Sequence, residues 1–497
     1  MNRSNMKFVA ANPSPFQLTA LRFTGHATAL AAALIATVLL IAPLRADPPK
    51  GLKFPALQFT PPKVEKRLLS CGATVYLLPD RELPLINVSA VVRTGTMYET
   101  PEETGLASLC GALMRAGGTE TLAPDAMDEK LEFVGASVES GMDVEQGGAS
   151  LSCLTKDFDA TLSIFADVLM KPAFNKEKLE IEKAKLIESI RRRNDDPFQI
   201  ARREFRKLLY GPDHPLSRTT EIAVIKKIKP ADLKRFYSVY YHPNQMMLAV
   251  SGDFEIEPMV QKLEAAFKAW RPASVAFPAV RTVAAPDQTQ TRVGLAEKSV
   301  NQASVIVGHL GVKRHNPDRF ALEVMNEILG GGSFSSRLYK EVRTKRGLAY
   351  WIGSNFTEPF DFGTMAAGSQ TKSESAGETI DAILSEMNRI RAESVTPQEL
   401  ALAKDSIVNS FVFRYASSHA IVSQKMALDY YGYPEDYLET YTQKIAAVTA
   451  ADVLVAARKY LKPEQITFMV VGDGKKMNLN PAKLGTVFPI ELKTAEK

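Results

Sequence analysis

The chain has 497 residues, 45% of them hydrophobic and 24% charged, and carries a formal net charge of +5. That length exceeds what one hydrophobic core serves, roughly 250 to 300 residues, so at least two cores are expected. Lysine and arginine are scattered among aspartate and glutamate without long single-sign blocks, which excludes the footprint of a nucleic-acid-binding protein, and no DNA or RNA partner is expected.

The N-terminus departs from this composition. No residue between Arg22 and Arg45 is charged, Ala27–Ile41 is nearly all Ala, Leu, Ile and Val, and Ala46 followed by Asp47 offers a small-residue cleavage point. Residues 1–46 therefore read as an export signal. Arg3, Lys7 and Arg22 stay on the cytoplasmic side and everything after Asp47 crosses, so the expected location is the periplasm. The alternative is an uncleaved inner-membrane anchor through residues 23–44, a stretch of about the length that spans a bilayer. The Ala-rich core favours cleavage. Cys71, Cys110 and Cys153 form no C-x-x-C pair and sit in apolar surroundings, which suits buried thiols.

Along the chain, alternating apolar residues at Thr74–Leu78 and Ile86–Val92 predict strands. A helix follows from about Thr104, where Leu106, Leu109, Cys110, Leu113 and Met114 recur at the spacing of a core-facing stripe. Further strands run through Val138 and Leu151. Helices are expected at Asp157–Leu169, Lys176–Arg193 and Pro230–Tyr240, and a last strand, Met246–Ser251, ends at Gly252-Asp253. Arg271–Gln288 is rich in Pro and Ala without periodicity and reads as a linker.

Beyond the linker the pattern is written again. Ile225–Asp232, Tyr241–Gln245 and the Gly252-Asp253 strand end reappear as Ile445–Asp452, Leu461–Gln465 and Gly472-Asp473 at a constant offset of 220, and Phe174–Leu179 reappears as Val395–Leu400 at 221. The expectation is an α+β chain of two homologous lobes, residues 47–270 and 289–497, joined by the linker 271–288 as a clamshell with a cleft. Each lobe is a mainly antiparallel sheet with helices packed on one face.

Val91–Glu99 followed by Gly105–Met114 resembles the segment of pitrilysin/insulinase zinc peptidases that carries the inverted motif H-x-x-E-H. That motif works because residues three and four apart share a helical face, so that two imidazoles bind zinc and the glutamate activates its water. Here the three places hold Ser108, Gly111 and Ala112, and a hydroxyl, a hydrogen and a methyl cannot do this. The family's third ligand is a glutamate on a later helix. In the matching stretch Glu182 corresponds to the first acid of the family pattern and Ser189 to the ligand. Glu188 comes one residue early and faces away, since a helix turns about 100° per residue. No metal is expected in this chain, and zinc is expected only in a partner. His26, His214, His242, His309, His315 and His419 show no other ligand spacing and read as structural.

Gly330–Tyr350 resembles the family's substrate-gripping segment, in which an arginine and a tyrosine seven residues apart orient the substrate backbone and stabilise the oxyanion. Arg343 and Tyr350 match that spacing. Without the resemblance the same residues would read as a solvated helix and a half-buried strand tyrosine. Gly330, Gly331, Gly332 and Ser333 resemble the glycine-rich, substrate-receiving loop of the non-catalytic subunit of mitochondrial processing peptidase, leading into a helix opened by Ser333 or Ser335. A phosphate loop is the weaker reading, because the G-K-[ST] ending is absent. The resemblance implies a non-catalytic subunit that binds peptide or unfolded protein and forms a heterodimer with an H-x-x-E-H zinc peptidase. The rivals are a peptide-binding scaffold or assembly protein outside any peptidase complex, and an independent peptidase with an unfamiliar metal site.

Overall fold

Alternation in sequence becomes alternation in burial: within Leu85–Val92 the side chains of Ile86, Val88, Ala90 and Val92 are buried while their neighbours are only partly so. The computed structural model describes residues 60–283 and 290–493, all within one compact unit. The export signal, the anchor at 23–44, His26 and linker residues 284–288 lie outside the described residues. Among the described residues no helix is long and apolar enough to cross a membrane.

The first half runs β1 (Glu65–Leu68), β2 (Thr74–Pro79), β3 (Leu85–Val92), α1 (Leu106–Ala116), α2 (Pro124–Val134), β4 (Ser137–Met142), β5 (Gly147–Leu154), α3 (Phe158–Met170), α4 (Lys176–Arg191), α5 (Pro197–Tyr210), α6 (Ile222–Lys227), α7 (Pro230–Tyr240), β6 (Met246–Gly252) and α8 (Ile256–Phe267). The second runs β7 (Arg292–Glu297), β8 (Gln302–Leu310), α9 (Arg319–Asn326), β9 (Ala349–Phe356), β10 (Thr364–Lys372), α10 (Ala376–Ala392), α11 (Pro397–Arg414), α12 (Ser418–Tyr430), α13 (Tyr437–Ala447), α14 (Ala450–Tyr460), β11 (Thr467–Gly472) and β12 (Thr486–Ile490).

Each half builds a six-stranded sheet, in the orders β1-β2-β6-β3-β5-β4 and β12-β7-β11-β8-β10-β9. The repeat is visible in the pairing: β2 runs parallel to β6 as β7 does to β11, and the pairs β3–β6, β3–β5 and β4–β5 are antiparallel, like β8–β11, β8–β10 and β9–β10. This is the two-lobed α+β architecture expected from sequence, with β4 and β9 as equivalent edge strands.

Helices of the same half cover one face of each sheet. The other face is covered by a single helix from the opposite half. Helix α5 lays Ile200, Phe205 and Leu209 onto Ala296, Ile306 and Met469 of the second sheet, and its counterpart α12 lays Ile421, Val422 and Met426 onto Tyr76, Leu78 and Ala249 of the first. Both faces of each sheet are thus apolar, which is why β6 and β11 are buried along almost their whole length. Sequence reading missed both helices, although Asp196 caps α5 through Phe198 N and Gln199 N with Pro197 in the first turn.

Polar contacts reinforce this exchange. Arg314 grips Glu145 with two hydrogen bonds of 2.8 and 2.9 Å, and Tyr430 donates to the Glu145 carbonyl at 2.7 Å. His419 on α12 bridges Ser89 and Ser251 of the first sheet at 2.9 and 3.0 Å. Buried His214 stands 3.1 Å from Asp361 of the other half, whose same oxygen accepts from Val283 N of the linker at 2.7 Å.

Candidate functional site

Helix α1 begins at Gly105, whose φ of +105° suits glycine, and its free amides are met by a carboxylate: Glu99 accepts from Gly105 N at 3.0 Å and Ala107 N at 2.6 Å. Arg218 pins the same turn by donating to the Glu99 carbonyl at 2.6 Å. Burial outweighs these pulls and pushes the Glu99 carboxyl up to about 7.

From this start α1 runs along the inter-lobe space. Ser108 is exposed and lines a cavity of about 650 Å³ together with Glu99, Asp143, Arg206 and Glu358. Gly111 faces the edge strand. A Cβ placed there would stand 2.6 Å from the Gly141 carbonyl carbon and 2.7 Å from Met142 N, so the backbone of β4 occupies the space a side chain would need. Ser140 seals that contact, donating to the Gly111 carbonyl at 2.6 Å and accepting from Arg115 N at 3.0 Å. Ala112 is half-buried. Ser189 is exposed on α4, Glu188 beside it pairs with Arg192 at 2.7 Å, and Glu182 pairs with Lys185 at 2.6 Å. Among the described residues no group of three or more His, Cys, Asp or Glu is placed to hold a metal ion. The donor set and the closed packing at Gly111 do not fit zinc.

The second-half segment is built on two π-helical turns, Glu327–Gly331 and Tyr339–Lys345, a geometry frequent at functional sites. Gly330 is held against β9, where its Cβ would meet Ser354 N at 2.6 Å. Ser333 adopts a φ of +45°, a left-handed conformation unusual for a residue with a side chain. The expected helix opening at Ser333 or Ser335 is corrected: the Oγ atoms of Ser335 and Ser336 donate to the Gly332 and Ser333 carbonyls, and it is Ser336 Oγ that accepts from Tyr339 N, at 3.4 Å. Buried Arg337 anchors the turn by two hydrogen bonds of 2.7 and 2.9 Å to Glu399, a pairing that holds that carboxyl at about 2.

Arg343 lies between two rings, its guanidinium carbon 4.9 Å from the Tyr339 centroid and 5.3 Å from that of Tyr350. Tyr350 is 74% exposed. Among the described residues neither the Tyr350 hydroxyl nor the Arg343 guanidinium has a hydrogen-bond partner, so directed donors stand ready at the surface. A second cavity, about 490 Å³, is lined by Gly330, Gly331 and Ser333 and shares Arg206, Thr357 and Thr364 with the first. The cavity at Ser108 and the cavity at the glycine-rich loop therefore adjoin one another across Arg206, Thr357 and Thr364. The structure brings Arg343 and Tyr350 together with each other, but they line neither cavity. Arg202, Arg206 and Glu99 were not singled out from sequence.

Known proteins share this two-lobed fold. A family model for insulinase (peptidase family M16) matches residues 78–219, and one for the peptidase M16 inactive domain matches residues 227–407. An uncharacterized zinc protease of Streptomyces coelicolor is 25% identical over 374 residues, 74% of this chain and 80% of its own length. A Helicobacter pylori protein described as non-peptidase homolog YmxG is 24% identical over 402 residues, 79% of this chain and 90% of its own. Among solved structures, a peptidase M16 inactive domain from Pseudomonas fluorescens superposes with a TM-score of 0.76 at 27% identity, covering 84% of this chain and 100% of that one.

Proposed function

Because the chain belongs to the insulinase family, peptidase family M16, we propose that it is a non-catalytic subunit that binds peptide or unfolded protein and completes the active site of a partner bearing H-x-x-E-H and zinc. One contrast carries the reading. The places of the zinc motif and of the third ligand hold Ser108, Gly111, Ala112 and Ser189, with β4 closed against Gly111, whereas half-buried Arg343 and exposed Tyr350 stack on each other and have no hydrogen-bond partner among the described residues. A chain that hydrolysed peptides on its own would need both halves of that apparatus. The relatives described as a non-peptidase homolog and as an inactive domain support the same direction. In this reading the chain is exported, works in the periplasm or at the inner membrane, and pairs as a heterodimer.

The chemistry asked of it is positioning and charge stabilisation. Guanidinium and phenol donors placed about 3 Å from a developing alkoxide stabilise it, and removing one such donor typically slows turnover by a factor of about 100 to 1000. The test is the partner's peptidase rate with R343A/Y350F in the complex. A loss of about 100-fold with unchanged co-purification supports the proposal, and undiminished turnover refutes it.

A further inference from the structure

The cavity of about 490 Å³ has an unusual charge pattern. It is lined by two arginines, Arg202 and Arg206, and by no aspartate or glutamate. They stand one helical turn apart on α5, so the two side chains leave the same face close together. Among the described residues neither guanidinium has a hydrogen-bond or ion-pair partner. This is not for want of acids on the helix: Glu204 accepts from Arg203 at 2.6 Å and from Lys207 at 3.3 Å. Arg203 also donates to the Arg193 carbonyl and to Asn194, both at 2.8 Å. Both side chains are exposed at the cavity mouth, and partial desolvation together with the neighbouring Arg202 charge pulls the Arg206 pKa below its ordinary value. Two positive charges so placed repel each other and favour an anion between them.

The walls limit what that anion is attached to. Helix α5 lies mainly over β11 and β8, and beside it β9 and β10 present small residues to the cavity, Gly353, Ala366 and Gly368, the last of them beneath the Phe198 and Trp351 rings. Phe198 and Trp351 close one side, their rings 5.3 Å apart and edge-on. The far side opens through Arg206, Thr357 and Thr364 into the larger cavity, which carries Glu99, Asp143 and Glu358. The two adjoining cavities thus differ in charge: Arg202 and Arg206 with no acid in the smaller, and Glu99, Asp143 and Glu358 beside Arg206 and Arg218 in the larger. Two adjoining spaces of such polarity suit an extended chain.

We propose that Arg202 and Arg206 form a carboxylate-binding subsite that receives a carboxyl group of an extended peptide lying across the two cavities, with the Phe198 and Trp351 rings against its neighbouring apolar side chain. The forked guanidinium geometry matches a carboxylate by paired hydrogen bonds. This deepens the peptide-binding reading above and rests on it. The carboxylate comes from the peptide's C-terminus or from an acidic side chain, and these two sources are separable.

The test uses the full chain and fluorescein-labelled octapeptides of one apolar sequence in three forms: free C-terminal acid, C-terminal amide, and amide with a glutamate near the end, read by fluorescence anisotropy. The free acid is expected to bind about tenfold or more tightly than the amide, a difference that narrows as salt rises. Equal affinity of the glutamate-bearing amide and the free acid would mean that a side-chain carboxylate suffices, and weak binding of that amide would point to the chain end. R202Q/R206Q should erase the preference, whereas R343A/Y350F should keep it. Because neither arginine holds another residue, R202Q/R206Q is expected to melt no lower than the parent, which separates loss of the subsite from loss of the fold. Acid and amide binding equally, or a preference that survives R202Q/R206Q, overturns this proposal alone. No binding of any form overturns it together with the peptide-holding function.

Discussion

Replacing Gly111 by alanine asks how firmly the place of the motif's water-activating glutamate has closed. In mid-helix this change ordinarily stabilises by about 1 kcal/mol, because glycine has more backbone freedom to lose. Here the new methyl would lie 2.6 Å from the Gly141 carbonyl carbon, 2.7 Å from Met142 N and 2.8 Å from Met142 Cβ, well inside the roughly 3.5–4.0 Å at which carbon atoms pack. Relief requires β4 or α1 to move by about 1 Å, against the β4–β5 ladder and the Ser140 bridge between Gly111 and Arg115. Overpacking of this kind costs about 1–3 kcal/mol, and loosening the bridge about 1 more. The clash therefore outweighs the propensity gain, and G111A is expected to be less stable than the parent by about 1–3 kcal/mol. Urea unfolding measures this as a lower midpoint at unchanged slope. S108A, on the exposed face of the same helix, is the control, with an expected gain of a few tenths of a kcal/mol. A G111A chain as stable as S108A would refute the reasoning and mean that β4 yields to a side chain there.

Two further perturbations test other parts of the structure. The Glu99 carboxyl, raised by burial from 4.5 to about 7, keeps its proton in the folded chain at pH values where the unfolded chain has lost it. Stability should therefore fall as pH climbs from 4.5 to 7 and stay lower above. E99Q is expected to match the parent at pH 4.5 and to melt higher at pH 8, and an equal difference at both pH values would rule out this linkage. The exchange of α5 and α12 makes each half incomplete, so residues 60–283 and 290–493 expressed separately are expected to aggregate or to lack near-ultraviolet dichroism. Co-expressed, they should purify as a one-to-one complex, whereas a cooperative melt of either half alone would contradict the exchange.

Much of the architecture was legible because duplication leaves a trace no local pattern does. The offset of 220 placed Gly252-Asp253 and Gly472-Asp473 at the ends of the equivalent strands β6 and β11. What periodicity cannot state is which surface an apolar stripe meets. Ile200, Phe205 and Leu209 read as one face of a helix whether that face meets its own sheet or another. The same holds at the site. Sequence shows that Gly111 lacks a side chain, but only the approach of Gly141 and Met142 shows that the room for one is gone. Arg202 and Arg206 are two arginines among many in sequence, and they stand out only once the acids around them are seen to be engaged elsewhere.

The reciprocal covering of the sheets also sets an order of events during synthesis. The apolar face of α5 is complete at Tyr210, yet its docking surface needs β11, which begins at Thr467. At translation rates of about 5–20 residues per second, that leaves roughly 13 to 50 seconds in which a finished amphipathic helix has nowhere to dock. Contacts of such long sequence separation also fold slowly once available. The nascent first half is thus a natural client for a holding chaperone, and its dwell time on one should shorten as ribosomes speed up.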